Sequence, residues 1–191
     1  MSSAKLILGS SSPRRQELLK QVHLPFFIRK PNIDESQVTT QDPVEKVKQL
    51  AIRKSQALPL QDEKEVILTA DTVVSYQQQI FEKPISKEAA FHMISTLSGK
   101  THEVYTGVMI RSTEKERVFV ERSEVTFWPL SREEIEWYVT TKDPYDKAGA
   151  YGIQSLGAMF VKSIRGDYAT IVGLPISRVV RELKGFSVLP V

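Results

Sequence analysis

The run Val66-Ile67-Leu68-Thr69-Ala70-Asp71-Thr72-Val73-Val74 constrains this chain more than any other stretch. β-Branched and apolar residues fill almost every position, as in a strand covered on both faces, and such strands lie at the centre of layered α/β proteins. Asp71 is its one charged member. A carboxylate so placed must be paired, hydrated in a cleft or bound to a cation, because an uncompensated buried charge is too costly. A structural ion pair is the alternative to a reactive site, and the reactive site is the preferred reading.

Around this run, strand and helix patterns alternate without an internal repeat, low-complexity tract or long linker, so 1–191 reads as a single domain. A short strand at 6–8 leads through Ser10-Ser11-Ser12-Pro13-Arg14-Arg15 into a helix with Ser12 as N-cap and Pro13 at its first position. A second strand is expected at 26–28, followed by a loop that carries Asp34 and Glu35. Asp42-Pro43-Val44-Glu45 opens a long helix whose apolar stripe reads Val44, Val47, Leu50, Ala51, Ala57 and Leu58, with Lys54 in the gap on that face. Beyond the central run, a hairpin turn at 77–79 leads to 80–84, and Ser86 caps a helix with Ala90, Met93, Ile94 and Leu97 inward. Two alternating strands near 102–110 and 118–127 read as an antiparallel pair, and Ser131 to Glu134 form a capping box for a helix through Tyr138. A small-residue segment at 145–154 follows, then a turn at 165–167 framed by 159–161 and 169–172, then a last helix from Leu174-Pro175 to Gly185. Parallel crossovers and hairpins both occur, so the sheet is expected to be mixed.

Charge and composition narrow the function. The 26 basic residues are scattered among 23 acidic ones for a net charge of +3, without the concentrated basic face that nucleic-acid binding needs; a small polyanion suits this balance. No run reaches the ~18 apolar residues of a membrane span, and Leu6-Ile7-Leu8 is too brief for the core of a signal peptide. The absence of cysteine removes disulfides, thiolate zinc sites and a cysteine nucleophile. A cytoplasmic location is expected.

Candidate chemistry gathers at a few places. The small-residue loop before Pro13 opens a helix N-terminus, an anion seat, and Arg14 and Arg15 in the first turn oppose the helix dipole unless an acidic ligand accompanies them. A plain Ser-Pro helix start with solvated arginines is the alternative. Lys54 sits on an inward stripe, although a lysine is long enough to reach water past its neighbours. Lys83, before Pro84, and the Asp146-Lys147 pair add cations, while Glu35 lies in the kind of loop that supplies oxygen ligands to magnesium. Taken together, cations for phosphate oxygens and carboxylates for a hard cation and for water are the parts that phosphoryl transfer requires. His23, His92 and His102 lack metal spacing and read as ordinary residues.

The motifs Ser-Ser-Pro-Arg-Arg-Gln-Glu-Leu-Leu (11–19), Ala-Asp-Thr (70–72), Glu-Lys-Pro (82–84), Leu-Ser-Gly (97–99), Asp-Lys-Ala-Gly-Ala-Tyr-Gly-Ile-Gln (146–154) and Val-Gly-Leu-Pro (172–175) resemble those of the Maf family, once called septum formation inhibitors. The resemblance spans nearly the whole chain. It implies a fold like that of the inosine triphosphate pyrophosphatases, an elongated mixed sheet with flanking helices in two lobes around a cleft. It also implies a nucleotide pyrophosphatase that uses magnesium or manganese. On this reading Asp71 and Lys83 are catalytic, Glu35 and Asp71 hold the metal, and Ser12, Arg14, Arg15, Lys54, Thr72, Lys147 and Gln154 contact substrate, with Arg14, Thr72 and Gln154 matching positions linked to base preference. The branch with Ala-Asp-Thr and Ile-Gln is expected to act on dTTP and UTP, and removal of modified pyrimidine nucleotides is compatible with it. A sister branch with Ser-Asp-Gln prefers 7-methyl-GTP. The chain departs from the common pattern at Thr69 and Ser155, where glycine is usual. A nucleotide-sensing regulator of cell division without turnover is the alternative, and the sequence leaves room for a homodimer.

Overall fold

A computed structural model of the protein describes residues 4–191; residues 1–3, part of the segment read above for a targeting signal, lie outside the described residues. The elements run β1 (Lys5–Leu8), α1 (Pro13–Gln21), β2 (Phe27–Ile28), α2 (Pro43–Gln56), β3 (Glu65–Tyr76), β4 (Gln79–Phe81) and α3 (Lys87–Leu97). There follow β5 (Thr101–Arg111), β6 (Glu116–Phe127), α4 (Arg132–Tyr138), β7 (Val161–Arg165), α5 (Tyr168–Val172) and α6 (Ile176–Lys184), with short 3-10 turns at 35–37 and between 143 and 160. One mixed sheet has the order β2-β1-β3-β5-β6-β7. Its β2-β1-β3 part is parallel, and the rest is antiparallel.

The register of β3 explains where a cleft opens. On one side, β5 accompanies it from Ile67 to Ser75. On the other, β1 pairs only with Glu65 to Leu68 and β4 only with Val74 to Tyr76. Among the described residues no strand pairs with 69–73 on that side, so the middle of the most buried strand carries an open edge.

Helices cover the two faces unequally. Side chains alternate along a strand, so Asp71 and its cross-strand partner Gly107 face one way while Thr72 and Thr106 face the other. The first face carries α2, packed so close that a Cβ on Gly107 would lie 2.5 Å from the Val47 carbonyl oxygen. The second face carries two cores. Leu6, Leu8, Leu68, Ala70, Val108 and Ile110 pack with residues of α1, α5 and α6 at one end, and Val74, Val104, Val125 and Phe127 with residues of α3 and α4 at the other. These two cores are the two lobes of the mixed α/β fold expected from the sequence.

Several local expectations are corrected. The apolar run 169–172, left unassigned by its pattern, is the helix α5, because Asp167 accepts the Thr170 N–H at 2.8 Å and starts a helical turn. Val44 stands 40% exposed and Ala57 is exposed, since the ends of α2 overhang the sheet; Lys46 is buried in their place. Ser12 occupies the N-cap position without a capping hydrogen bond, and its own N–H is taken by Ser10 Oγ at 3.2 Å. The capping box of α4 forms as expected, with Ser131 and Glu134 each accepting the other's N–H. No helix among the described residues is long and apolar enough to cross a membrane.

Candidate active site

The open edge of β3 is the floor of a cleft of about 830 Å³. All ten residues singled out from the sequence, Ser12, Arg14, Arg15, Glu35, Lys54, Asp71, Thr72, Lys83, Lys147 and Gln154, line it. They come from six separate parts of the chain, so the fold assembles what the sequence keeps apart.

On the α2 face, Lys54 Nζ lies 2.6 Å from Asp71 Oδ1 and 2.8 Å from Glu35 Oε1. The close approach at Gly107 puts Lys54 there, helped by the Thr69 hydroxyl, which donates to the Ala51 carbonyl at 2.7 Å. Thr69 therefore has a role of its own, and Gly9 makes room for it, since a Cβ there would meet Thr69 Cγ2 at 2.5 Å. Burial works to raise the Glu35 carboxyl, but the hydrogen bond and charge of Lys54, with Lys83 and Arg15 behind them, hold it below the usual carboxylate value.

The opposite face is built differently. Arg15 Nε donates to the Gly173 carbonyl at 2.7 Å, and its two terminal nitrogens reach Ser10 Oγ and Thr72 Oγ1 at 3.3 Å each. Burial pulls the Arg15 guanidinium down from its ordinary value, with the Asp71 carboxylate working the other way. No ion pair forms at Arg15 among the described residues, which leaves its charge available to an anion. Thr72 Oγ1 in turn lies 2.8 Å from Thr106 Oγ1.

The third wall is the segment 143–154. Arg14 bridges to it through Asp146 at 2.9 Å, and Lys147 Nζ is held by Asp146 Oδ1 at 2.6 Å and the Asp143 carbonyl at 2.7 Å. Asp143 also accepts the hydroxyls of Tyr138 and Ser155, at 2.8 and 3.0 Å, so Ser155, like Thr69, is tied into the structure by its hydroxyl. Burial acts to raise Asp146, but the hydrogen bonds from Lys147 and Arg14 hold it low. Gln154 is exposed in the turn beyond Gly152. His102 is buried, its Nε2 2.7 Å from the Tyr151 hydroxyl, and burial pushes its pKa down to about 3. It stands outside the cleft lining.

Glu35 and Asp71 are the two carboxylates that meet at one point in the cleft, and no group of three or more acidic or histidine side chains suited to a metal occurs among the described residues. Two carboxylates fit a magnesium ion that keeps waters and takes its other oxygens from a bound polyphosphate; they do not form a cage that would hold the ion alone.

Two charged cleft residues were not singled out from the sequence, Lys46 and Glu82, joined at 2.8 Å. Lys46 precedes Lys54 by two turns of α2 and shares its face, so the spacing that singled out Lys54 points to Lys46 too.

Comparison with known proteins adds to this geometry. The model of a family described as Maf-like protein matches residues 5–186. Over 184 residues the chain is 50% identical to a protein of Bacillus cereus (strain G9842) named dTTP/UTP pyrophosphatase, covering 96% of each chain. A Bacillus cytotoxicus protein of the same name is 50% identical over 182 residues and 95% of each chain. Among solved structures, a HAM1 protein from Coxiella burnetii matches with a TM-score of 0.54 at 12% identity, over 95% of this chain and 99% of that one, a likeness of fold.

Proposed function

The chain belongs to the Maf family, and from that premise we propose that its cleft hydrolyses dTTP and UTP to the monophosphate and pyrophosphate. The observation that carries this reading is the Asp71-Lys54-Glu35 cluster, set at the open edge of β3 within reach of arginine and lysine side chains. The cleft volume lies within the range of small-molecule sites.

In the proposed reaction Arg14, Arg15 and Lys83 bind the triphosphate oxygens, with Ser12 and Lys147 on the flanking walls. Asp71 orients a water toward the α-phosphorus and takes its proton as the bond to the β-phosphate oxygen breaks. Lys54 keeps Glu35 ionised and fixes the direction of both carboxylates. Glu35 and Asp71 would hold magnesium or manganese, which when bound supplies charge neutralisation on the phosphate oxygens and acidifies coordinated water. Gln154 presents an amide, donor and acceptor together, to the base. Substrates of this kind make the cytoplasm the expected place of action.

Pyrophosphate release from a panel of standard and modified triphosphates, with magnesium and with manganese, tests the reading. Preferential turnover of dTTP and UTP is expected. No release from any triphosphate would favour a nucleotide-sensing protein instead.

A further inference from the structure

A single chain of hydroxyl protons fixes what Thr72 can offer a ligand. Thr106 Oγ1 lies 2.8 Å from the Thr170 carbonyl oxygen, which can only accept, so Thr106 spends its one proton there. The 2.8 Å contact between Thr72 and Thr106 then needs its proton from Thr72. Arg15, the other neighbour of Thr72, is donor-only and cannot accept that proton. Both Thr106 and Thr170 are fully buried, and Asp167 pins Thr170 through its N–H and its hydroxyl, each at 2.8 Å. Water therefore has no access to reverse the chain. Thr72 faces the cleft as a hydrogen-bond acceptor whose proton is already committed.

That polarity has a consequence for binding. The oxygens of a triphosphate are acceptors at neutral pH, so an acceptor-only Thr72 opposes them and suits a donor on the nucleoside, in keeping with the base preference that the family resemblance links to this position. We infer that the buried Thr106 is a positioning residue for base selection: it turns Thr72 into an acceptor for the N3–H of uracil or thymine. The inference rests on the pyrophosphatase reading above and on the link of Thr72 to base preference, and adds the buried residue that sets the polarity of its hydroxyl. The two bases in the relatives' name share N3–H, whereas cytosine carries a lone pair at that position. A ribose 3′-hydroxyl is common to all ordinary nucleotides and would give no such preference. With Thr72 taking N3–H, the Gln154 amide N–H is left for the neighbouring carbonyl oxygen.

The test compares kcat/KM for UTP and CTP in wild type, Thr106→Val and Thr106→Ser, with thermal melts to confirm folding. Wild type prefers UTP. In Thr106→Val the Thr72 proton loses its acceptor and turns toward the cleft, where it meets cytosine N3, so the UTP:CTP ratio narrows by about five- to tenfold, the effect of roughly one hydrogen bond. Thr106→Ser keeps the hydroxyl and the wild-type ratio. A folded Thr106→Val with an unchanged ratio overturns the inference, whether or not its overall rate falls. Should Thr106→Val not fold, wild type decides with N3-methyl-UTP: turnover well below that of UTP supports N3–H recognition, and equal turnover overturns it. Failure of wild type to release pyrophosphate from any triphosphate removes the pyrophosphatase reading itself, and this inference with it.

Discussion

Asp71 and Thr72 are neighbours on β3, yet they look into the same cleft from opposite faces of the sheet and are held by different physics. Asp71 belongs to a cluster of charges, with Lys54 between two carboxylates and Glu35 about half exposed. Thr72 belongs to a chain of neutral hydroxyls that ends on a buried carbonyl. Charges in a cleft can exchange partners when a polyanion and a cation arrive, which suits proton transfer and phosphate binding. A hydroxyl chain sealed from water keeps one direction, which suits discrimination between donor and acceptor. The open edge between β1 and β4 allows one ligand to touch both.

If the faces divide the work in this way, substitutions on the charged face change rate and those on the hydroxyl face change selectivity. The largest effect is expected from Asp71→Asn, which removes the proton acceptor and lowers pyrophosphate release by about 10²- to 10⁴-fold with the nucleotide preference intact. Turnover near that of wild type would take Asp71 out of the mechanism. Lys54→Met is expected to cost up to about 10²-fold through misplaced carboxylates. It should also move the acid limb of the pH–rate profile. Lys54 is what holds Glu35 low against its burial, so without it the Glu35 pKa rises and activity is lost at a higher pH as the medium is acidified. An acid limb that stays in place in Lys54→Met would uncouple the two residues.

Gln154→Glu replaces the amide donor with a carboxylate and should lower dTTP and UTP turnover by about tenfold, the worth of one hydrogen bond. Equal relative rates across the nucleotide panel would count against base reading at this position. The smallest effect on turnover is expected from His102→Asn, which shares the hydroxyl face but sits outside the cleft lining, against Phe127 and Tyr151, and sharpens the contrast as a stability control. Burial depresses this histidine from 6.5 to about 3, so below pH 6.5 the unfolded chain binds a proton that the folded one refuses. Wild type should lose about 1.4 kcal/mol from this group between pH 7.5 and 5.5, and His102→Asn should not. Urea titrations at the two pH values read the difference.

How far the sequence discloses this division depends on the residue. Asp71 stands out because a charge in an apolar strand has no cheap explanation, and Lys54 because it interrupts an apolar helical stripe. Lys46 repeats that signal two turns earlier and is easily passed over among the many lysines. The layered mixed sheet follows from the alternation of patterns and from the end caps, most clearly Ser131-Glu134. The missing neighbour along 69–73 is not legible, because hydrophobic pattern records burial of strand faces and is silent about strand edges. The hydroxyl chain is equally hidden: Thr106 and Thr170 look like ordinary strand and helix residues until the register sets Thr106 opposite Thr72 and the Asp167 cap turns Thr170 under it. The run 169–172 shows the same limit, since its β-branched residues become a helix only through that cap.

Attack at the α-phosphorus is the central claim, and isotope transfer tests it most directly. UTP is hydrolysed by the wild-type protein in ¹⁸O-labelled water, and the products are weighed by mass spectrometry. Hydrolysis as proposed puts one label in UMP and none in pyrophosphate. Label in pyrophosphate with unlabelled UMP, or release of inorganic phosphate in place of pyrophosphate, would contradict it.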